Sequence, residues 1–212
     1  MTEFEYKIKN IFSPVLEKIN NPMILEFGVQ EGRSTHEFLK WCQLKNGKLF
    51  SFDIEDCSNV SNNDAWKFYK SRDDNFKFIF SKIPEELDVI FLDTLHEADH
   101  VEKIFYNYFS SLKVGGYFII DDISHLPYLK GSDRNNFYCE INNQETFKRI
   151  LEIYEPNKEI FDLNFSFISS GLAIIKKKLN NKLNKKKIIK TRENSIKNKL
   201  RKLKHIINEK KY

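Results

Sequence analysis

The chain offers few of the features that announce a function outright. Its longest uninterrupted apolar runs, such as residues 89–92 and 117–120, are four residues each, against the roughly 20 a helix needs to cross a bilayer. No membrane span is expected. The opening residues, MTEFEYKIKNIF, are charged and contain no continuous apolar core of the kind a secretory leader carries. Cys42, Cys57 and Cys139 are scattered, odd in number and without C-x-x-C spacing. That argues against a disulfide framework or a zinc knuckle and for reduced thiols in a cytoplasm. Glycine and proline are scarce, at 7 and 5 residues of 212, while Lys, Asn, Ile and Phe are abundant. An AT-rich genome produces this bias unaided, so lysine content alone carries little argument.

Charge is present but unevenly spread. Residues 1–175 hold 19 Lys and Arg against 28 Asp and Glu, and residues 176–212 hold 16 against 2, so an acidic body is followed by a basic tail. The length suits one domain plus an appendage. The expected division is an N-terminal helix packing on the core (1–21), a central domain (22–178) and a basic helical tail (179–212). In the tail, Ile189, Ile196, Leu200, Leu203 and Ile207 step by 7, 4, 3 and 4, a short coiled-coil-like seam. Such a helix can pack on the acidic body, pair with another subunit into a homo-oligomer, or meet an anionic membrane surface or nucleic acid. It lacks the interleaved aromatics that stack on bases, and a solvated extension is the plainer reading.

Residues 3–20 place Phe4, Ile8, Ile11, Val15, Leu16 and Ile19 on one helical stripe, ended by Asn20, Asn21 and Pro22. Beyond it, short apolar runs alternate with helical stretches. Strands are expected at 23–29, 48–54, 76–81, 88–94 and 116–123, and helices at 34–42, near Trp66, at 98–112 and at 144–154. Two further runs flank Ser169, Ser170 and Gly171 and form a closing antiparallel hairpin. Nearly continuous apolar strands alternating with helices indicate an α/β, Rossmann-like, mostly parallel sheet with helices on both faces.

Ligands of such sheets bind at the carboxyl ends of the strands. The first strand runs into Glu26-Phe27-Gly28-Val29-Gln30-Glu31-Gly32-Arg33-Ser34-Thr35, two glycines four apart before a helix with Ser34 or Thr35 as its expected N-cap. The spacing is not that of a pyrophosphate-binding fingerprint, and an acid at its start would repel phosphate and suit a cation. Asp53 ends the second strand, where a carboxylate can accept both ribose hydroxyls of a nucleoside.

Glu26-x-Gly28-x-x-x-Gly32, the strand-terminal Asp53, the turn Leu112-Lys113-Val114-Gly115-Gly116 and the final hairpin together resemble the class I S-adenosylmethionine-dependent methyltransferases. The resemblance covers about residues 22–178. It implies that Glu26, Gly28, Gly32 and Ser34 line the methionine end of S-adenosylmethionine, that Asp53 holds the ribose, and that residues 81–83 flank the adenine. Ser81-Lys82 departs from the acidic or small-acidic pair of many relatives.

Asp93 ends the fourth strand and Asp121-Asp122 the fifth, and strands joined by one helical crossover lie side by side. Three crowded carboxylates call for a cation, and all-oxygen ligands favour Mg²⁺ or Ca²⁺ over zinc. Asp93, Asp121 and Asp122, with His96 three residues after the first, are similar to the pattern of metal-dependent O-methyltransferases of the macrocin, mycinamicin and cephalosporin-hydroxylase-like group. That resemblance implies a divalent cation chelating oxygens of a small-molecule or sugar acceptor, with Asp93 also beside the cofactor. His96 is the expected general base. The same stretch, His96-Glu97-Ala98-Asp99-His100, matches H-E-x-x-H, but only Thr94 and Leu95 separate the strand end from His96, leaving it in a turn rather than on a helix face. Residues 124–139, with Tyr128, Arg134 and Tyr138, are the candidates for acceptor contact. The alternatives are a metal-independent methyltransferase, a hydroxylase-like relative, and a non-enzymatic nucleotide-binding or scaffold protein acting through its tail.

Overall fold

Residues 24–27 are buried on both faces of their strand, which puts β1 (Met23–Phe27) in the middle of a sheet rather than at its edge. The computed structural model describes residues 3–192 and 195–201. Seven strands stand in the order β3-β2-β1-β4-β5-β7-β6, with β2 (Lys48–Asp53), β3 (Trp66–Lys70), β4 (Leu87–Leu92), β5 (Leu112–Asp121), β6 (Phe161–Ser166) and β7 (Leu172–Lys177). The first five are mutually parallel, and β7 runs antiparallel to both its neighbours. This is the mostly parallel Rossmann-like sheet with a closing hairpin that the sequence predicts.

Alternate residues feed two cores. Leu25, Phe27, Ile90, Leu92, Phe118 and Ile120 face α5 (Ala98–Tyr108), α6 (Phe137–Tyr154) and the short α4 (Phe76–Phe80). Ile24, Val89, Phe91 and Ile119 face α3 (Arg33–Lys45) and the N-terminal segment. That segment comprises α1 (Glu3–Lys7), one π-helical turn (Ile8–Phe12) and α2 (Ser13–Leu16). Pro14 cannot donate an N–H back along the helix, and the wide turn lies directly before α2. Phe12 meets Phe38 and Phe91 at ring-centroid distances of 5.5 and 5.4 Å, fixing the segment to the sheet.

Two elements exchange roles relative to expectation. The helix expected near Trp66 is strand β3, and the strand expected at 76–81 is helix α4. Five- and six-residue apolar stretches do not distinguish the two by periodicity. β3 is an only partly buried edge strand, so it lacks the apolar run that marks the others. It is held by parallel pairing to β2 and by Trp66 Nε1 donating to Ser51 Oγ at 2.8 Å.

The basic tail also differs. Residues 178–192 form no helix; they lie as a strap across α5 and α6. Asn184 N–H donates to Asn157 Oδ1 at 2.7 Å, Lys187 N–H to Glu152 O at 2.9 Å, and Tyr106 Oη–H to Asn184 O at 2.8 Å. Leu183 packs on the larger core, and Lys186 pairs with Glu102. Backbone groups satisfied in this way have no need of an intrahelical partner. Helix resumes only at 196–201, where Ile196 and Leu200 are exposed; Leu203 and Ile207 lie outside the described residues. No helix among the described residues is long and apolar enough to cross a membrane.

Asn157 is the buried anchor of the strap, since Nδ2 also donates to Ile153 O at 2.7 Å and to Asn184 O at 3.1 Å. Asn157→Ala removes these bonds together with the one that holds Asn184 N–H, and is expected to cost about 1–3 kcal/mol. Urea unfolding of the variant against the wild type measures this.

Candidate active site

The turn after β1 is set by two close approaches. Gly28 has φ +90°, and a Cβ there would lie 1.9 Å from the carbonyl oxygen of Asp93. Only glycine is compatible with both the backbone conformation and the space. The contact arises because Gly28 N–H donates to Phe52 O at 3.0 Å and Asp93 N–H to Phe27 O at 2.9 Å, drawing the ends of β1, β2 and β4 together. Gly32, at φ +79°, is the N-cap of α3, and a Cβ there would meet Val60 Cγ1 at 2.2 Å. Ser34 and Thr35 therefore do not cap the helix. Their hydroxyls turn inward to Glu26.

Glu26 is fully buried. Its Oε1 accepts from Ser34 Oγ at 2.6 Å, and its Oε2 accepts from Thr35 Oγ1 at 2.8 Å and Ser51 Oγ at 2.6 Å. Burial pushes its carboxyl up to about 7, against the three hydroxyl hydrogen bonds that favour the ionised form. It does not line the cleft; Ser34, Gly28 and Arg33 do. The predicted methionine-end residues are thus gathered at one place, with Glu26 beneath the surface as their anchor.

Asp53 closes the other side of this loop. One carboxylate oxygen accepts from Val29 N–H at 2.7 Å and Gln30 N–H at 3.1 Å, and the other from Glu55 N–H at 2.9 Å. Burial would raise its carboxyl, but the backbone N–H groups of Glu55, Val29, Gln30 and Ile54 outweigh it and hold it below the usual range. Asp53 lines a cavity of about 450 Å³ with Phe52, Ile54, Glu55 and Leu95, and with Ser71, Arg72 and Asp73 beyond β3. Because the third strand is β3 and not residues 76–81, these last three take the place expected of residues 81–83. Asp73 is fixed by Thr94 Oγ1 at 2.6 Å and His100 Nε2 at 2.7 Å.

The second cavity, of about 600 Å³, is polar and lies across the ends of β1, β4 and β5. His96 Nε2 stands 3.5 Å from both Asp93 Oδ1 and Asp122 Oδ2. Burial alone would depress the imidazole, but the hydrogen bond to Asp93 and the charges of Asp122, Asp93 and Asp121 hold it above its ordinary range. His96 and His100 therefore serve different carboxylates, and α5 begins only at Ala98, so the H-E-x-x-H residues share no zinc-like centre. Arg134 lines this cavity and donates to Ser169 Oγ at 3.1 Å, whereas Tyr138 is exposed outside it.

The three strand-end carboxylates divide between two partners: Asp93 and Asp122 stand beside His96, and Asp121 beside Lys7. Among the described residues no group of three His, Cys, Asp or Glu side chains converges as a metal would require. Asp121 Oδ1 instead accepts from Lys7 Nζ at 2.6 Å, from Asp122 N–H at 2.7 Å and from Ser170 Oγ at 3.3 Å. Asp122 takes a left-handed backbone, φ 55°, that turns it toward His96. Lys7 escaped the sequence reading although the signal was there: it sits three residues after Phe4 and four before Ile11, on the apolar stripe of its helix.

Residues 25–123 match a protein-family model described as a methyltransferase domain. No curated protein matches the chain in sequence. Among solved structures, the fold is similar to the MycE methyltransferase of the mycinamycin biosynthetic pathway, in complex with Mg and SAH (TM-score 0.61, 17% identity, covering 82% of this chain and 50% of that one). It is also similar to the SAH-bound methyltransferase PaMTH1 of Podospora anserina (TM-score 0.63, 15% identity, 84% and 86% covered). A putative caffeoyl-CoA O-methyltransferase from Staphylococcus aureus is a third (TM-score 0.58, 18% identity, 84% and 93% covered). The chain spans about half the length of the MycE structures it matches. These likenesses show a Rossmann-like fold of the kind those methyltransferases have.

The raised Glu26 carboxyl has a measurable consequence. Between its ordinary value of 4.5 and about 7 the folded chain holds a proton that the unfolded chain releases, so this group's contribution to stability falls as pH rises through that window and levels off above it. Glu26→Gln abolishes that dependence. The stability of the variant relative to wild type is expected to rise from pH 5 to pH 7, read by urea unfolding at each pH.

Proposed function

We propose that the cleft binds S-adenosylmethionine and transfers its methyl group to a hydroxyl oxygen of a small, polar acceptor such as a sugar. The observation that carries this reading is the meeting of two cavities of opposite character. The Phe52, Ile54 and Leu95 cavity and the Lys7, Ser34 and Arg134 cavity share Gly28, Gln30, Asp93 and His96. A nucleoside fits the first, with its base against apolar side chains and its ribose at Asp53 and Glu55. A polar acceptor fits the second. The sulfonium then lies at the junction, where Gly28 offers bare backbone and Asp53, Asp73 and Asp93 offer negative charge to a cation that carries no phosphate. The methyltransferase-domain match over 25–123 and the SAH bound in two of the similar structures support the same cofactor.

The reaction asks little of the protein beyond alignment. The acceptor O–H bond breaks as an oxygen lone pair forms the C–O bond, the C–S bond breaks, and S-adenosylhomocysteine leaves as a neutral thioether. His96, at the junction of the two cavities, takes the acceptor proton, and Asp93 and Asp122 stabilise the imidazolium that results. Holding the two reactants in line supplies much of the acceleration.

Calorimetric titration with S-adenosylhomocysteine tests the reading. One-to-one binding is expected, weakened at least about tenfold, or about 1.4 kcal/mol, in Asp53→Ala. Absence of binding by the folded wild type overturns it.

A further inference from the structure

Lys7 is an anomaly: a lysine 4% exposed, facing a polar cavity at the end of a sheet where three aspartates are expected to hold a cation. Its ammonium lies 2.6 Å from Asp121 Oδ1 and 3.1 Å from Ser170 Oγ. Three separately built segments converge on it. The N-terminal helix brings the lysine, anchored by Phe12 and Leu16 in the core. β5 brings Asp121. The β6–β7 turn brings Ser170, fixed because Ser124 N–H donates to Ser170 O at 2.7 Å and because Gly171, at φ +79°, leaves no room for a Cβ beside Ser124.

A charged amine is costly to bury without a partner and a purpose. Two of its three N–H donors go to Asp121 and Ser170, and the third remains for the cavity that Lys7 lines. Asp121 Oδ1 already accepts three donors, so a metal ion can reach that oxygen only by displacing a donor, and against the positive charge of Lys7 beside it.

Resting on the methyltransferase reading above, we propose that the Lys7 ammonium replaces a divalent cation at this site and holds the acceptor oxygen, stabilising the negative charge that grows on it as His96 removes the proton. This changes the substrate class as well as the mechanism. A divalent ion can chelate two adjacent oxygens, whereas an ammonium donates one directed hydrogen bond to one oxygen. The acceptor it selects is a single hydroxyl, with no requirement for a vicinal diol or catechol.

The test is Mn²⁺ binding followed by electron paramagnetic resonance on the full chain with saturating S-adenosylhomocysteine, whose own binding is checked first by calorimetry. Wild type is expected to bind no saturable Mn²⁺ up to about 1 mM, at the weak end of biological carboxylate sites. Lys7→Ala, which strips the counter-charge from Asp121, is expected to gain a site at least tenfold tighter. Lys7→Met, which keeps the length of the buried stem, is read in the same way should the alanine variant fail to fold. One Mn²⁺ bound per wild-type chain overturns the proposal whatever the variants do, and so does a folded Lys7→Ala that binds S-adenosylhomocysteine but no Mn²⁺. Loss of S-adenosylhomocysteine binding by the wild type instead overturns the methyltransferase reading, so the two failures are distinguishable.

Discussion

The buried carboxylate of Glu26 ties the site together. One side chain at the end of β1 accepts from Ser34 and Thr35 on α3 and from Ser51 on β2, and Ser51 in turn accepts from Trp66 on β3. Four elements are thereby fixed relative to one another beneath the loop that faces the ligand. A fully desolvated acid with three hydroxyl donors is a satisfied network, and satisfied networks in a low-dielectric interior are rigid. The loop above it can therefore carry Gly28 and Gly32 in left-handed conformations without losing its shape.

The same economy holds at the far end of the cleft. Asp53 spends its carboxylate on the N–H groups of the β1–α3 loop and of Glu55, and Asp73 on Thr94 and His100. These acids first build the walls and then offer their remaining lone pairs to a ligand. Preorganisation of this kind means that the proposed nucleoside would meet dipoles already in place. Even the basic tail contributes to rigidity, because its strap ties α5, through Tyr106 and Glu102, to α6 and the turn after it, through Glu152 and Asn157.

How much of this was legible depends on how each residue announces itself. β1, β2, β4 and β5 are apolar on both faces, and such strands stand out from any amphipathic helix. β3 and α4 were interchanged because an edge strand with half-buried residues has no continuous run, and a five-residue helix shows no period. That exchange moves the end of the third strand from Ser81 to Lys70, and with it the residues that line the cavity beside Asp53. The strand-end acids Asp53, Asp93, Asp121 and Asp122 were legible as a group because topology alone brings strand ends to one rim. Their partners were not. Lys7 is 114 residues from Asp121, and no local pattern couples them; only a lysine on an apolar stripe hinted that its charge was needed inside. The strap is hidden from the sequence for a related reason. Its lysines fit a solvated helix, while the side chains of Asn157 and Glu152 that draw it out lie on another element.

The chemistry depends on where a ligand sits. A crystal structure with S-adenosylhomocysteine measures this most directly. The prediction is an adenine among Phe52, Ile54 and Leu95, ribose hydroxyls at Asp53 or Glu55, and the sulfur beside Gly28, facing His96 across the junction of the two cavities. A nucleoside lodged elsewhere, or a sulfur turned away from His96 and Lys7, would contradict it.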